Sequence, residues 1–341
     1  MTALPSLRRR LLPALLLGAA AAACGKPQPL GDANAIIAAV PDETWAQVEE
    51  DVYAALEPRA FTVRDERIFR VTQVDPASAQ WNDLRRFRQI LLIGEPGDPT
   101  VAAALEQVDR PHPSPPAIVR ARNVWAQGQQ VTVALLPPGS RPEAAQPLLP
   151  MIGDTLRNQY EALARQRMFV TGADSALADS LRRTAGFSLL VPQVYRFSQP
   201  ESNVYLFRND QPDPSRLIRS VLVAWRPAGE VEPTQEAALA WREQIGGRFY
   251  EPPQVTETER IETREMGTAE RGGLQIQGVW SNPPGGWPAG GPFIARIVPC
   301  PEQQRVYLLD AWLYAPGTEK YEYMVQLDTM LDSFRCGNAV Q

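Results

Sequence analysis

One histidine, three cysteines and a row of carboxylates are the groups of this 341-residue chain with the most capacity for chemistry. His112 stands in Arg110-Pro111-His112-Pro113-Ser114-Pro115-Pro116. A general base must reach its nucleophile and be oriented by a third group, and no pattern around His112 supplies either. With Cys24 set aside, one His and two Cys also leave the usual zinc ligand sets unfilled. Glu257, Glu259, Glu262 and Glu265 share an extended stretch with Arg260 and Arg264. Side chains two apart lie on one strand face, so Glu257 and Glu259 could act as a glycosidase-like acid and base. A solvated strand with compensating arginines is the plainer reading. Asp210 and Asp213 in Asn209-Asp210-Gln211-Pro212-Asp213-Pro214 suggest calcium. The alternating ligands and distal Glu of an EF-hand loop are missing, which favours a turn. Lys320, beside Tyr321 and Tyr323, would need burial to become a base; at an exposed helix start it reads as a surface charge. No cofactor and no metal site are expected.

The cysteines carry other chemistry. Arg8, Arg9 and Arg10 precede an apolar run from Leu11 to Ala23, which ends in Ala21-Ala22-Ala23 directly before Cys24. The run is too short for a bilayer core of about 30 Å, which takes roughly 20 helical residues. It reads as a secretory signal over residues 1–23. Ala21-Ala22-Ala23-Cys24 resembles the lipobox of bacterial lipoproteins, with Ala21 where that family usually has Leu. The resemblance implies cleavage before Cys24 and lipidation of its sulfur. Ordinary cleavage after Ala-x-Ala is the alternative. Several acyl chains far exceed the marginal hold of a single myristoyl group. Lys26 comes directly after Gly25, so no acidic retention cue stands there and the resemblance implies the outer membrane of the cell envelope. In an exported chain, Cys300 and Cys336 read as a disulfide, against two buried thiols.

Loss of three arginines and no acids with the signal takes the formal charge from −5 to −8. An acidic chain lacks the clustered Lys and Arg that phosphate contacts need, which argues against nucleic acid. Lysine occurs only at Lys26 and Lys320.

The elements that must position these groups follow from periodicity. Residues 24–34 form a tether without pattern. An N-terminal α/β domain is expected over residues 35–170. It begins with a strand at Ala35–Val40 and a helix capped by Asp42, with Trp45, Val48, Val52 and Leu56 on one face. A strand pair follows over 61–74, then a strand at 89–93 and a short helix at 100–108. A hairpin turns at Gln127-Gly128, and a long helix covers 152–168. A C-terminal domain is expected over 171–341. Its parts are a helix at 175–183 ended by Gly186, a strand pair at 187–197 and 203–208, and a strand at 220–225. A helix at 234–245 precedes strands at 254–266, 273–280, 292–298 and 305–314, and a helix at 318–334 closes the chain. The fold class is α+β, with mixed and antiparallel sheets flanked by helices.

Pro283-Pro284-Gly285-Gly286-Trp287-Pro288-Ala289-Gly290-Gly291 is the most unusual segment. It has no Gly-Lys-Ser/Thr ending, so it is not a phosphate loop. A long hairpin connection is one reading. A recognition loop using Trp280, Trp287 and Phe293, with Trp312 and Tyr314, is the other.

Gly278-Val279-Trp280, Gly290-Gly291-Pro292-Phe293, Trp312-Leu313-Tyr314-Ala315-Pro316, Lys320 to Leu327, and Val191-Pro192 with Tyr195 are similar to segments of a bacterial envelope lipoprotein family, domain of unknown function 4837. Weaker echoes lie at Asn123-Val124-Trp125-Ala126 and Leu84 to Ile90. The resemblance supplies no activity and no catalytic residues. In strand order and closing helix, the C-terminal half also resembles a PsbP-type α/β/α sandwich, an analogy of fold alone. The expected function is a membrane-tethered, non-catalytic binding or scaffold module for a protein, peptide or glycan. A carboxylate-dependent envelope hydrolase is the alternative.

Overall fold

Residues 25–267 and 273–337 are described by a computed structural model of the chain. The expected signal peptide and Cys24 lie outside the described residues. Two sheets dominate the molecule, each with helices on both faces.

The first sheet grows from β1 (Ala35–Ala39), whose side chains are buried on both faces past Ala35. Its neighbours are β4 (Arg70–Val74) on one side and β5 (Gln89–Gly94) on the other, both parallel to it. Such two-sided burial is what a parallel strand covered by helices requires. Between β1 and β4 run helix α1 (Asp42–Leu56) and a small hairpin of β2 (Arg59–Ala60) and β3 (Glu66–Arg67). Asp42 is the first helical residue and not the expected cap; Pro41 precedes it, and the Asp42 carboxylate accepts from Gln73 instead. The expected strand pair over 61–74 is likewise corrected. Only β4 enters the sheet, because its Val71 and Val74 are the apolar members that meet the core.

The chain continues through α2 (Trp81–Leu84), β5, α3 (Pro99–Leu105), β6 (Ala117–Arg122), β7 (Gln130–Leu135) and α4 (Leu149–Met168). The sheet order is β4-β1-β5-β7-β6, with β6 antiparallel to β7. α1 and α4 cover one face through Trp45, Val48, Val52, Leu56, Ile152 and Leu156. Trp81 and Val101 of the short helices cover the other.

The expected tether does not hang free. Lys26 Nζ donates to Asn123 O, Gln127 N donates to Pro27 O at 2.8 Å, and Leu30 forms a parallel bridge with Phe87. This strap lies along the amino ends of β5 and β7.

The second half begins with α5 (Ser175–Thr184), capped by Asp174, whose Oδ1 accepts from Leu177 N at 2.9 Å. Gly186 follows with φ +82°, the left-handed conformation that ends a helix. Then come β8 (Phe187–Ser188), β9 (Arg196–Glu201), β10 (Val204–Asn209), β11 (Ile218–Pro227), α6 (Gln235–Phe249), β12 (Val255–Met266), β13 (Gly273–Ser281), β14 (Gly290–Cys300), β15 (Arg305–Tyr314), α7 (Tyr321–Asp332) and β16 (Arg335–Cys336). Seven strands form an antiparallel sheet in the order β12-β13-β14-β15-β11-β10-β9. Side chains alternate across it. Tyr307, Leu309 and Ala311 face α7, and Leu308 and Trp312 face α6. The result is an α/β/α layering within an α+β fold. Cys300 and Cys336 are bonded, with Cα atoms 6.0 Å apart, and tie β14 to the end of the chain.

Candidate functional site

The aromatic residues around the Gly-rich loop are dispersed. Trp280, Phe293 and Trp312 are fully buried. Trp280 meets Trp312 edge-on at 5.3 Å, and its indole N–H donates to Leu313 O at 3.2 Å. Tyr314 is half-buried against the same cluster. Trp287 alone is exposed, 78% accessible, on a loop closed by Asn282 N donating to Ala289 O. No aromatic groove therefore forms beside residues 280–293. The glycines explain why: a Cβ on Gly291 would lie 1.8 Å from Leu313 O, and one on Gly278 would lie 2.5 Å from the Phe293 ring. These motif residues allow backbones and rings to close over each other. They build core.

Beneath that core lies an ion pair that sequence reading missed. Arg242 of α6 donates from Nε to Asp310 Oδ1 at 3.0 Å, and neither side chain is exposed. Its remaining nitrogens reach Gln254 Oε1 at 2.8 Å and Thr256 Oγ1 at 3.1 Å, and its guanidinium lies 3.7 Å over Phe293. Tyr250 donates to the other Asp310 oxygen at 2.5 Å. Burial pushes the Asp310 carboxyl up, against the pull of Arg242. The group is sealed, so it holds α6 to the sheet and meets no substrate. A polar pattern at Arg242 and Asp310, on elements otherwise apolar at those depths, was the only signal available.

The carboxylates of β12 do not converge. Glu257, Glu259, Glu262 and Glu265 are all exposed. A bulge between Glu257 and Ile261 breaks the register, so Glu257 and Glu259 are not held together by the ladder. Arg260 turns away to Asp65 at 2.7 Å and Thr62 O at 3.0 Å. Asp210 accepts from Arg196 at 2.7 Å and Arg208 at 3.0 Å, and Asp213 accepts from Ser215. Burial alone would raise Asp210, but the bonds and charges of Arg208 and Arg196 together outweigh it and hold the carboxyl below its usual range. His112 Nε2 is buried without a hydrogen-bond partner. Among the described residues, no cluster of three or more His, Cys, Asp or Glu could hold a metal ion.

Where the two halves meet, the residues do converge. α7 packs on α4, with Tyr160 and Tyr321 stacked at 5.9 Å. Glu66, on β3, accepts from the backbone N of Lys320 at 2.6 Å and of Tyr321 at 3.1 Å, capping α7 from 254 residues away. Lys320 Nζ lies 3.6 Å from Glu66. This corrects the expected exposed lysine: its side chain is only 18% exposed. Arg167 pairs with Glu322 at 3.0 Å, and Glu319 is held by Arg70 and by Asn34 at 3.0 Å. Tyr321 donates to Glu161 at 3.1 Å, and burial lifts the Tyr160 and Tyr321 hydroxyls above their usual range. Between these groups is a cleft of about 290 Å³, with Tyr323 and Tyr160 on its wall. Most of its charged groups are paired: Glu66 with Lys320, Glu322 with Arg167, Glu319 with Arg70 and Arg67 with Glu57.

Residues 174–333 match the model of the family described as Domain of unknown function (DUF4837). The match leaves out the N-terminal half, where weaker echoes had been expected. No curated protein matches the chain. Among solved structures, similarity extends to the Saccharomyces cerevisiae Ran-binding protein Mog1p, at 11% identity and TM-score 0.30, over 45% of this chain and 91% of that one. A Bacteroides thetaiotaomicron VPI-5482 protein shows 10% identity and TM-score 0.27, over 45% of this chain and 46% of its own. LpqN of Mycobacterium tuberculosis, involved in cell envelope biogenesis, shows 18% identity and TM-score 0.24, over 43% and 81%. Among the described residues, no helix is long and apolar enough to cross a membrane.

Proposed function

We propose that this chain, whose residues 174–333 match a family of undefined activity, is an envelope lipoprotein tethered through Cys24, with a binding domain that takes a polar peptide or glycan segment in the cleft between its halves. The address comes from the lipobox-like Ala21-Ala22-Ala23-Cys24. The observation that carries the binding role is the cleft itself. Ligand sites form preferentially at junctions between folded units, with few but well-placed polar groups. Here the partly exposed Tyr321 and Tyr323 line the wall, with Tyr160 buried behind Tyr321, while paired Glu66, Glu319, Glu322 and Arg167 offer fixed acceptors and donors. Tyrosine supplies contact area at low entropic cost and carries its own hydroxyl. The paired charges favour recognition over acid–base chemistry, which needs a group free to exchange a proton.

Pull-down of the lipidated protein from detergent-solubilised envelopes, with wild type and a Tyr323→Ala, Glu319→Ala variant compared, tests the site. A stoichiometric partner or glycan fraction lost with the variant is the expected result. Identical recovery by both would remove the cleft from the account. Fatty-acid labelling that marks wild type but not Cys24→Ala tests the anchor.

A further inference from the structure

The first sheet carries a second concavity, far from the cleft between the halves in its chemistry. β1 leads into α1 on one face of the sheet, and its neighbour β5 leads into α3 on the other. Two adjacent parallel strands whose following helices diverge leave a crevice outside their carboxyl ends, where open α/β sheets bind ligands. Such a crevice is present, with a volume of about 370 Å³. Ala39, Pro41, Leu92, Ile93 and Val101 make its floor and walls, and Asp75 and Asp98 stand at its rim.

Charge decides what it admits. No Lys or Arg lines it. The starts of α1 and α3 contribute about half a positive charge each. Against them stand the carboxylates of Asp42, Glu43, Asp75 and Asp98. Asp75 accepts from Asp42 N at 3.2 Å and Ala77 N at 2.7 Å, and Asp98 from Glu95 N at 2.8 Å, so backbone amides hold both in place. An ionised carboxylate has about four acceptor sites, so each keeps capacity for a donor from outside.

We infer that this crevice binds a lysine- or arginine-bearing apolar segment of a partner polypeptide, with its aliphatic stem on the apolar floor and its cation between Asp75 and Asp98. The inference does not depend on the cleft between the halves, and variants of the two sites separate them.

The probe is the end-blocked tripeptide leucyl-lysyl-leucine, with norleucine and glutamate replacing lysine in two controls. Each is titrated against the full mature chain by ligand-observed NMR. The lysine peptide is expected to bind about fivefold more tightly than the norleucine peptide, the factor a half-exposed ion pair can supply, and to weaken with salt. The glutamate peptide is expected not to bind. Asp75→Asn should remove the preference for lysine. Because Asp75 also steadies the start of α1, Thr100→Arg serves as a second variant: it places a cation in the crevice while keeping both carboxylates, and should abolish binding while thermal melting falls by no more than a few degrees, the cost of a cation at the start of α3. No binding of the lysine peptide, equal binding of all three, or full binding by Thr100→Arg would overturn the inference.

Discussion

Replacing Asp310 by Ala should be among the most damaging single changes in the second half of the molecule. The substitution strips Arg242 of its charge partner at a place where neither side chain is exposed, and it leaves the Tyr250 hydroxyl without its acceptor. No solvent screening discounts the loss. Breaking a buried pair by removing one member costs about 3–5 kcal/mol, because the remaining charge stays buried and uncompensated. Removing both charges together, as Arg242→Met with Asp310→Leu, eliminates that penalty, so the double variant should cost much less than the two single changes summed. A coupling of about 2 kcal/mol or more is expected, which a double-mutant cycle reads directly. Urea unfolding followed by tryptophan fluorescence is the assay, since Trp312 lies 5.4 Å from Tyr250 and reports on the site. If Asp310→Ala lowers stability by less than about 1 kcal/mol, a surface-pair value, the pair is not desolvated and the reasoning fails.

Gly291→Ala puts a methyl 1.8 Å from a backbone oxygen, so a loss of about 3 kcal/mol or more is expected, seen as a fall in melting temperature. Glu66→Ala removes the cap that reaches α7 across the junction; about 1 kcal/mol should disappear, whereas substitution of exposed Glu262 should change stability little. Cys300→Ser with Cys336→Ser opens a bridge between positions 36 apart, which costs about 4 kcal/mol on the loop-entropy model and is read by urea unfolding with and without reductant. Against the effect of burial, Arg208 and Arg196 hold the Asp210 carboxyl below the usual aspartate range in the folded chain. Its contribution is therefore full above the ordinary aspartate value and lost as pH falls through the lower folded one; Arg208→Ala should flatten the decline in stability as pH falls below about 4.

Local pattern was enough to locate most elements. Trp45, Val48, Val52 and Leu56 marked α1, and alternation marked β11 to β15, because one-sided burial leaves its period in the residue order. Pairing was less legible. Nothing near Arg70–Val74 says that β4 lies parallel to β1 while the preceding hairpin stays outside the sheet, since that choice rests on contacts across the core. The aromatic residues misled for a related reason. Beside glycines and prolines, Trp280 and Phe293 look displayed, but Gly278 and Gly291 are small so that those rings can be enclosed. Neither cleft leaves a trace in the residue order. Glu66 finds α7 across more than two hundred residues, and the crevice at β1 and β5 exists only because two helices leave the sheet in opposite directions.

The strap at residues 26–30 has a mechanical consequence. A free run of ten residues would let the protein swing like a buoy on its line. Here Lys26 and Pro27 are already fastened to the β6–β7 hairpin. With lipid on Cys24, only two residues of slack remain, at most about 7 Å. On the proposed anchor, the amino edge of the first sheet would stay within that reach of the lipid.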